Sequence, residues 1–379
     1  MTDKRRKILH LIATNFYGGP EKQIVEHLAR LNGSRYQGVF ASFLEANRPN
    51  ETLQQADERG LANFAIPMIG PIDVRAQWKL NRLLLREKVD LLCTHGYKST
   101  IMGWWAGRKA KIPVLAFSRG YTTEDVKVAF YEWLERRVFG KVAGIVFVSE
   151  GQRRRLESFN VRVGRSWVVY NGISVEETPD EPTLDVSATV RKKLGIPQGI
   201  KIVVSAGRLS PEKGHRFLLE AISKMDKKTN NACFVFCGDG VCQKDLESQA
   251  KRLGIWEQCR FLGFRRDLHE IFQVMDLLVL PSLTEGLPNV LLEAFACAKP
   301  VVATAIGGVP EVVEHSVNGI LVAPKRPDLL ADAIGKCLSS PETAKQMGRA
   351  GYHKVKSEFT FEWQTSKLQA IYDEVLGSS

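Results

Sequence analysis

No Cys-x-x-Cys and no His-x-x-x-His spacing occurs in this 379-residue chain, so a zinc site built from closely spaced ligand pairs is not expected. Its seven cysteines are odd in number and lie mostly in apolar strand-like or helical contexts. That pattern fits free buried thiols in a reducing cytoplasm better than a disulfide framework. No apolar run approaches the roughly 20 residues needed to cross a bilayer. The basic amino terminus before Ile8-Leu-His-Leu-Ile-Ala13 has the outline of a signal peptide, but His10 interrupts the apolar stretch and Thr14-Asn15 end it. A first buried strand is the expectation. Gly-x-Gly-x-x-Gly is missing, which excludes a dinucleotide fingerprint, and no Gly-Lys-Ser/Thr follows a glycine loop, which excludes a Walker site. The formal charge is +11, yet none of the recognisable nucleic-acid reading modules is present, so no nucleic-acid partner is expected.

What remains is an ordinary globular composition, 44% hydrophobic and 25% charged, in a chain long enough for two domains. Short β-rich runs alternate with helical patterns: 8–13, 39–43, 90–94, 114–117 and 145–148, then 202–206, 234–237, 277–280 and 300–303. Such alternation predicts α/β domains with parallel sheets covered on both faces. The run Glu176 to Asp185 holds two prolines and no core-forming pattern, and reads as linker. The expected division is a first domain over 1–175, a linker or hinge over 176–198, a second domain over 199–358, and a helical tail over 359–379.

Two carboxylates eight positions apart, Glu285 and Glu293, are the only charges between Asp276 and Lys299. Glu293 sits among Val290, Leu291, Leu292, Ala294 and Phe295, where an unpartnered carboxylate is costly, so donors from a polyhydroxylated ligand would suit it. Pro288 is expected at the first helical position, with Glu285 in the loop before it and Glu293 on the second turn. The free amides near Gly286, Leu287 and Asn289 would then gather at the positive end of the helix dipole. Taken alone, a carboxylate before a proline reads as a solvated cap.

About eighty residues upstream, Ile202 to Ala206 breaks into Gly207-Arg208-Leu-Ser-Pro-Glu-Lys213-Gly214 before a helical pattern. An arginine fork and a lysine point charge on one glycine turn suit phosphate oxygens. Each alone reads as a solvent-facing loop charge.

Together with Gly238-Asp239-Gly240, Phe261-Leu-Gly263-Phe264, Pro281-Ser282 and Gly307-Gly308-Val-Pro310-Glu311, this ordered set resembles the donor site of the family-four retaining glycosyltransferases. The resemblance implies the GT-B fold, two Rossmann-like domains with parallel sheets facing a central cleft. In the first half it rests mainly on Gly18-Gly19, Val148-Ser149 and Asn171-Gly172. It implies a nucleotide-diphosphate sugar as donor substrate and no further cofactor. Arg208 and Lys213 would hold the diphosphate, and Glu293 the ribose. Glu285 with the amides of Gly286, Leu287 and Asn289 would hold the transferred sugar, and backbone near Phe264 the base. The chain has no Asp-x-Asp, which argues against a metal-carried diphosphate; Arg208 and Lys213 would take that role.

In the first half, Gly18-Gly19 ends a strand loop, and the resemblance favours a close approach to diphosphate or acceptor over a mere tight turn. His95 follows a strand and could reach the cleft, although a lone histidine is more often structural. Arg119 stands where many relatives have a histidine, and suits a phosphate or an acidic acceptor sugar. The positive charge is concentrated here: residues 1–165 hold 28 of the 53 Lys and Arg against 16 of the 42 acidic groups. Basic residues around Trp78 (Arg75, Lys79, Arg82, Arg86, Lys88) and after Trp104-Trp105 suggest either an anionic membrane surface met by this acceptor-binding domain or solvated helix faces over buried tryptophans. The reading is a retaining glycosyltransferase, cytoplasmic or peripheral on the inner membrane face, acting on a glycan or lipid-linked acceptor. Its rival is a non-catalytic nucleotide-sugar or phosphoglycan binding protein on the same scaffold.

Overall fold

A computed structural model describes residues 5–33, 35–45, 49–70, 73–120, 126–161, 163–177, 183–225 and 231–377. The chain forms two compact units, one made of 1–172 with 361–379 and the other of 173–360.

In the first unit, seven strands form one parallel sheet: β1 (Arg6–Ile12), β2 (Tyr36–Glu45), β3 (Ala62–Met68), β4 (Leu91–His95), β5 (Val114–Ser118), β6 (Gly144–Phe147) and β7 (Ser166–Val168). Their order is β3-β2-β1-β4-β5-β6-β7, with the reversal between β1 and β4. All five residues of β4 and of β5 are buried, as expected for strands covered on both faces. One face packs under the helices Gly19–Leu31 and Phe361–Leu376, where Ile24, Leu28, Leu368 and Tyr372 join Ile8, Phe40 and Leu91. The other packs under the helices Val74–Arg86 and Tyr97–Ala110, through Leu80, Leu84 and Ala106. The amino-terminal apolar run is β1.

In the second unit, β8 (Lys201–Ala206), β9 (Ala232–Cys237), β10 (Cys259–Phe261), β11 (Leu277–Leu280), β12 (Val301–Thr304) and β13 (Gly319–Val322) form a parallel sheet in the order β10-β9-β8-β11-β12-β13. The reversal lies between β8 and β11.

Four strands have no counterpart among the sequence-derived runs: β3, β7, β10 and β13. Each is an edge strand of its sheet. An edge buries less, so its apolar signal is weaker: β3 buries only Ile66 and Met68 of its seven residues and carries Pro67. The expected linker over 176–198 is a correction. Residues 178–182 lie outside those described, but Leu184–Leu194 is a helix, capped by the Thr183 hydroxyl accepting from the Val186 amide, and it packs on the helix Leu268–Val274. The boundary between units falls after Gly172.

Candidate functional site

Ligands of open parallel sheets bind outside the carboxyl ends of the strands, where strand order reverses. In the second unit that place is built from the loop after β8 and the loop after β11. The first loop passes Gly207 and Arg208 into a short 3₁₀ turn, Pro211–Lys213, and ends at Gly214. Gly214 has φ +66°, and a Cβ there would stand 2.1 Å from the carbonyl oxygen of Pro281, so only glycine lets the two loops touch. The Leu283 amide also donates to the Glu212 carbonyl at 2.7 Å.

That contact brings Lys213 to Glu285. The Lys213 ammonium donates to Glu285 Oε1 at 2.7 Å, and the Ser282 hydroxyl donates to the same oxygen at 2.7 Å. The Glu285 side chain is only 7% exposed, so this pairing is what makes its burial tolerable. Ser282 is fixed in turn by Thr304, whose hydroxyl donates to the Ser282 carbonyl at 2.6 Å. Behind Glu285, Gly307 (φ +51°) has no room for a Cβ, which would meet the Glu285 carbonyl at 2.0 Å. Arg208 is half exposed and pairs with Glu212 at 3.3 Å, while Ser210 donates to the same Glu212 oxygen at 2.5 Å.

The helix Asn289–Ala296 begins one residue later than the sequence suggests. Pro288 is the cap residue with ψ 117°, rather than the first helical residue, because an extended ψ is what turns the chain into the helix from the loop. Glu293 lies on the second turn, half-buried between the buried Leu292 and Ala294. Gly286 and Leu287 lead into this helix and Asn289 opens it, with the Gly286 carbonyl accepting from the Gly308 amide at 2.9 Å. Phe264 is 47% exposed just past β10, after Gly263, whose carbonyl accepts from the Gly238 amide.

The first unit gathers a second set at its own reversal point. Gly18 and Gly19 follow β1, His95 ends β4, and Arg119 is one residue past β5. The Gly18 amide donates to Glu21 Oε2 at 3.0 Å, and Arg119 is close enough for its charge to oppose the burial that raises the Glu21 carboxyl. Burial pushes the Arg119 guanidinium down to about 10, so it keeps its charge at neutral pH.

Of the two alternatives for His95, reaching the cleft or a structural role, its surroundings favour the second: it is 3% exposed, stacked on Phe117, and bonded to His10 at 2.9 Å. His10 reaches the Tyr372 hydroxyl at 3.0 Å, Tyr372 reaches His27 at 2.9 Å, and His27 reaches Thr365 at 3.1 Å. Arg119 donates to the other nitrogen of His95 and to Asn171, both at 3.4 Å. Burial lowers all three imidazoles, His27 to about 3, so these three rings are neutral at pH 7. Of the two alternatives for the basic stripes, that of buried tryptophans fails at Trp78, 57% exposed, and Trp105, 65% exposed, while Trp104 is half-buried.

Sequence reasoning passed over Glu212 and Glu21, and gave Ser282 no role beyond its place in the Pro281-Ser282 motif. Only Glu212 carried a readable signal, its position four residues after Arg208 on one turn. All seven cysteines are free and six are buried, and burial raises their thiols. Among the described residues there is no cluster of three or more His, Cys, Asp or Glu able to hold a metal ion, and no helix long and apolar enough to cross a membrane.

Two family models match this chain and together cover most of it: "Glycosyltransferase Family 4" over residues 17–177 and "Glycosyl transferases group 1" over residues 186–354. The chain belongs to the family-four, group 1 glycosyltransferases. An uncharacterised glycosyltransferase of Methanocaldococcus jannaschii is 33% identical over 198 residues, 52% of this chain and 50% of that one. The UDP-Gal:alpha-D-GlcNAc-diphosphoundecaprenol alpha-1,3-galactosyltransferase of Escherichia coli is 25% identical over 80% of each chain. The match to the first of these thus spans half of the relative's length. Anabaena HepE in complex with UDP-glucose superposes with a TM-score of 0.85 at 20% identity, over 97% of this chain and 99% of that one, which establishes the GT-B glycosyltransferase fold.

Proposed function

We propose that this glycosyltransferase moves a sugar from a nucleotide-diphosphate donor to a glycan or lipid-linked acceptor, retaining the anomeric configuration and using no metal ion. The process it serves is assembly of a cell-surface polysaccharide, lipopolysaccharide or glycolipid. The observation that carries the reading is the 2.7 Å contact between Lys213 and Glu285 at the β8/β11 reversal. An ammonium has three N–H donors, and Glu285 takes one of them. The others can meet a diphosphate, while the second oxygen of Glu285 can accept from sugar hydroxyls.

The leaving group is an anionic nucleoside diphosphate. Lys213 and Arg208 stabilise the charge that develops on it, each preorganised donor contributing about 2.7–4 kcal/mol. The glycosyl carbon becomes electron-poor in the same step, and the Glu285 carboxylate nearby favours it. Glu293 accepts from the ribose hydroxyls, and backbone near Phe264 meets the base. Glu285 is held by both Lys213 and Ser282, which supports a positioning role over covalent attack; retention then follows from attack on the face the diphosphate leaves.

In the first unit, Gly18, Gly19 and Arg119 serve the acceptor side, with Arg119 meeting a phosphate or an acidic sugar. His95 acts there through Arg119, by accepting its Nε–H. The name of the Escherichia coli relative, with its diphosphoundecaprenol-linked sugar, supports a lipid-linked acceptor. Exposed Trp78, Leu85 and Trp105, on helices that also carry Arg82, Arg86, Arg108 and Lys109, support peripheral docking on anionic lipid at the cytoplasmic face, at about 1 kcal/mol per basic residue near the surface.

The test is turnover of UDP-, GDP- and ADP-sugars, first without acceptor and then with extracted lipid-linked glycans. Slow hydrolysis or transfer by the wild type, lost in Lys213→Ala, is the expected result. Donor binding with no turnover toward any acceptor pool would favour a non-catalytic binding protein instead.

A further inference from the structure

A cavity of about 690 Å³ lies at the amino-terminal edge of the second sheet, wholly within the second unit. Lys201 opens β8, Asp276 precedes β11 and Pro300 precedes β12, and all three line it. It is therefore at the opposite strand ends from Arg208, Lys213 and Glu285. The six residues of β8 separate the two places by about 20 Å.

The floor is apolar, made of buried Met275, Cys297, Pro300, Cys337 and Ala344. The rim is basic. The helix Pro341–Glu358 sets Lys345, Arg349, His353 and Lys356 along it, at spacings that put them on one helix face. That helix cannot rotate away. A Cβ at Gly348 would stand 2.0 Å from the Ala298 carbonyl, and one at Gly351 would stand 2.2 Å from the Phe295 ring. The opposite wall is tied to it as well: the Tyr352 hydroxyl lies 2.6 Å from the carbonyl oxygens of both Glu176 and Glu177, and Lys356 donates to the latter at 2.8 Å.

Five Lys and Arg line the cavity against three carboxylates. Of those three, Asp276 is already engaged by Lys201 and the Ile202 amide, both at 2.8 Å. Arg349 makes no ion pair among the described residues. A fork and a point charge one helical turn apart suit phosphate oxygens, and the volume lies within the roughly 300–1,000 Å³ of small-molecule sites. We infer that this cavity binds a soluble organic phosphate of up to nucleotide size, its apolar body on the floor and its phosphate against Arg349 and Lys345.

The test is calorimetric titration of the full chain with phenyl phosphate and, separately, inorganic phosphate. Phenyl phosphate should bind about tenfold more tightly than inorganic phosphate, because only it covers the floor. Arg349→Glu and Lys345→Glu, both exposed and harmless to folding, should abolish that binding, and Lys213→Ala should leave it intact. Binding lost in Lys213→Ala, or unchanged in Arg349→Glu, would overturn the assignment. So would capture of phosphatidic-acid vesicles through Arg349 with no affinity for phenyl phosphate, which would make the ligand a lipid headgroup.

Discussion

Lys213 and Glu285 lie 72 positions apart in the chain and form one ion pair at 2.7 Å, each arriving on a loop at the carboxyl end of a neighbouring strand. Because each is the other's partner, removing one leaves a charge behind. Lys213→Ala and Glu285→Ala should each lower kcat/KM about a hundredfold or more, and the double variant should lose far less than the product of the two. Steady-state kinetics on the four proteins checks this; multiplicative losses would mean the pair does not act as a unit.

Glu293 is on a different element and should behave differently. Glu293→Ala is expected to raise the donor KM by about tenfold while moving kcat little, since the proposed ribose contact would be the same in ground and transition states. A fall in kcat at unchanged KM would contradict the ribose assignment.

Gly214→Ala places a methyl 2.1 Å from the Pro281 carbonyl at a φ of +66°. The two loops must part, at a cost of about 1–3 kcal/mol. Lower thermal stability together with weakened turnover is expected, whereas Gly335→Ala, which has open space around it, should leave both unchanged.

The three buried imidazoles set a pH dependence with a definite sign. Their folded pKa values lie below the ordinary value of 6.5, so the unfolded chain binds protons first as pH falls. The stability they contribute is present above about pH 6.5 and is lost progressively below it, toward the region near 3 given for His27. Each histidine contributes up to about 1.4 kcal/mol per pH unit in that window. Urea midpoints should fall between pH 7 and pH 5, and His27→Gln should flatten the fall; an unchanged slope in that variant would count against it.

Membrane docking has its own reading. Trp78→Glu and Trp105→Glu remove exposed aromatics without opening a core, so sedimentation with anionic vesicles should weaken while solution turnover of a soluble acceptor persists. Vesicle binding indifferent to both changes and to salt would remove this part of the proposal.

The central strands and the loops after β8 and β11 were legible because burial on two faces leaves continuous apolar runs and because glycine is forced where loops touch, as at Gly214 and Gly307. The edge strands were not, since half-exposed sequence such as β3 carries little periodic signal. Nor was the pairing of Lys213 with Glu285, or the linking of His10, His27 and His95 through Tyr372. Contacts spanning 72 to 362 positions are set by sheet order, and local sequence says nothing of it.

Leu368, Ile371 and Tyr372 complete the core that Ile8, Ile24 and Tyr36 begin. The ribosome therefore releases every strand of the first sheet long before that core can close, and the whole intervening unit has emerged by then. The half made first is the half finished last, so a stalled or shortened product would leave an apolar slot open beside β1 and become a client for chaperones.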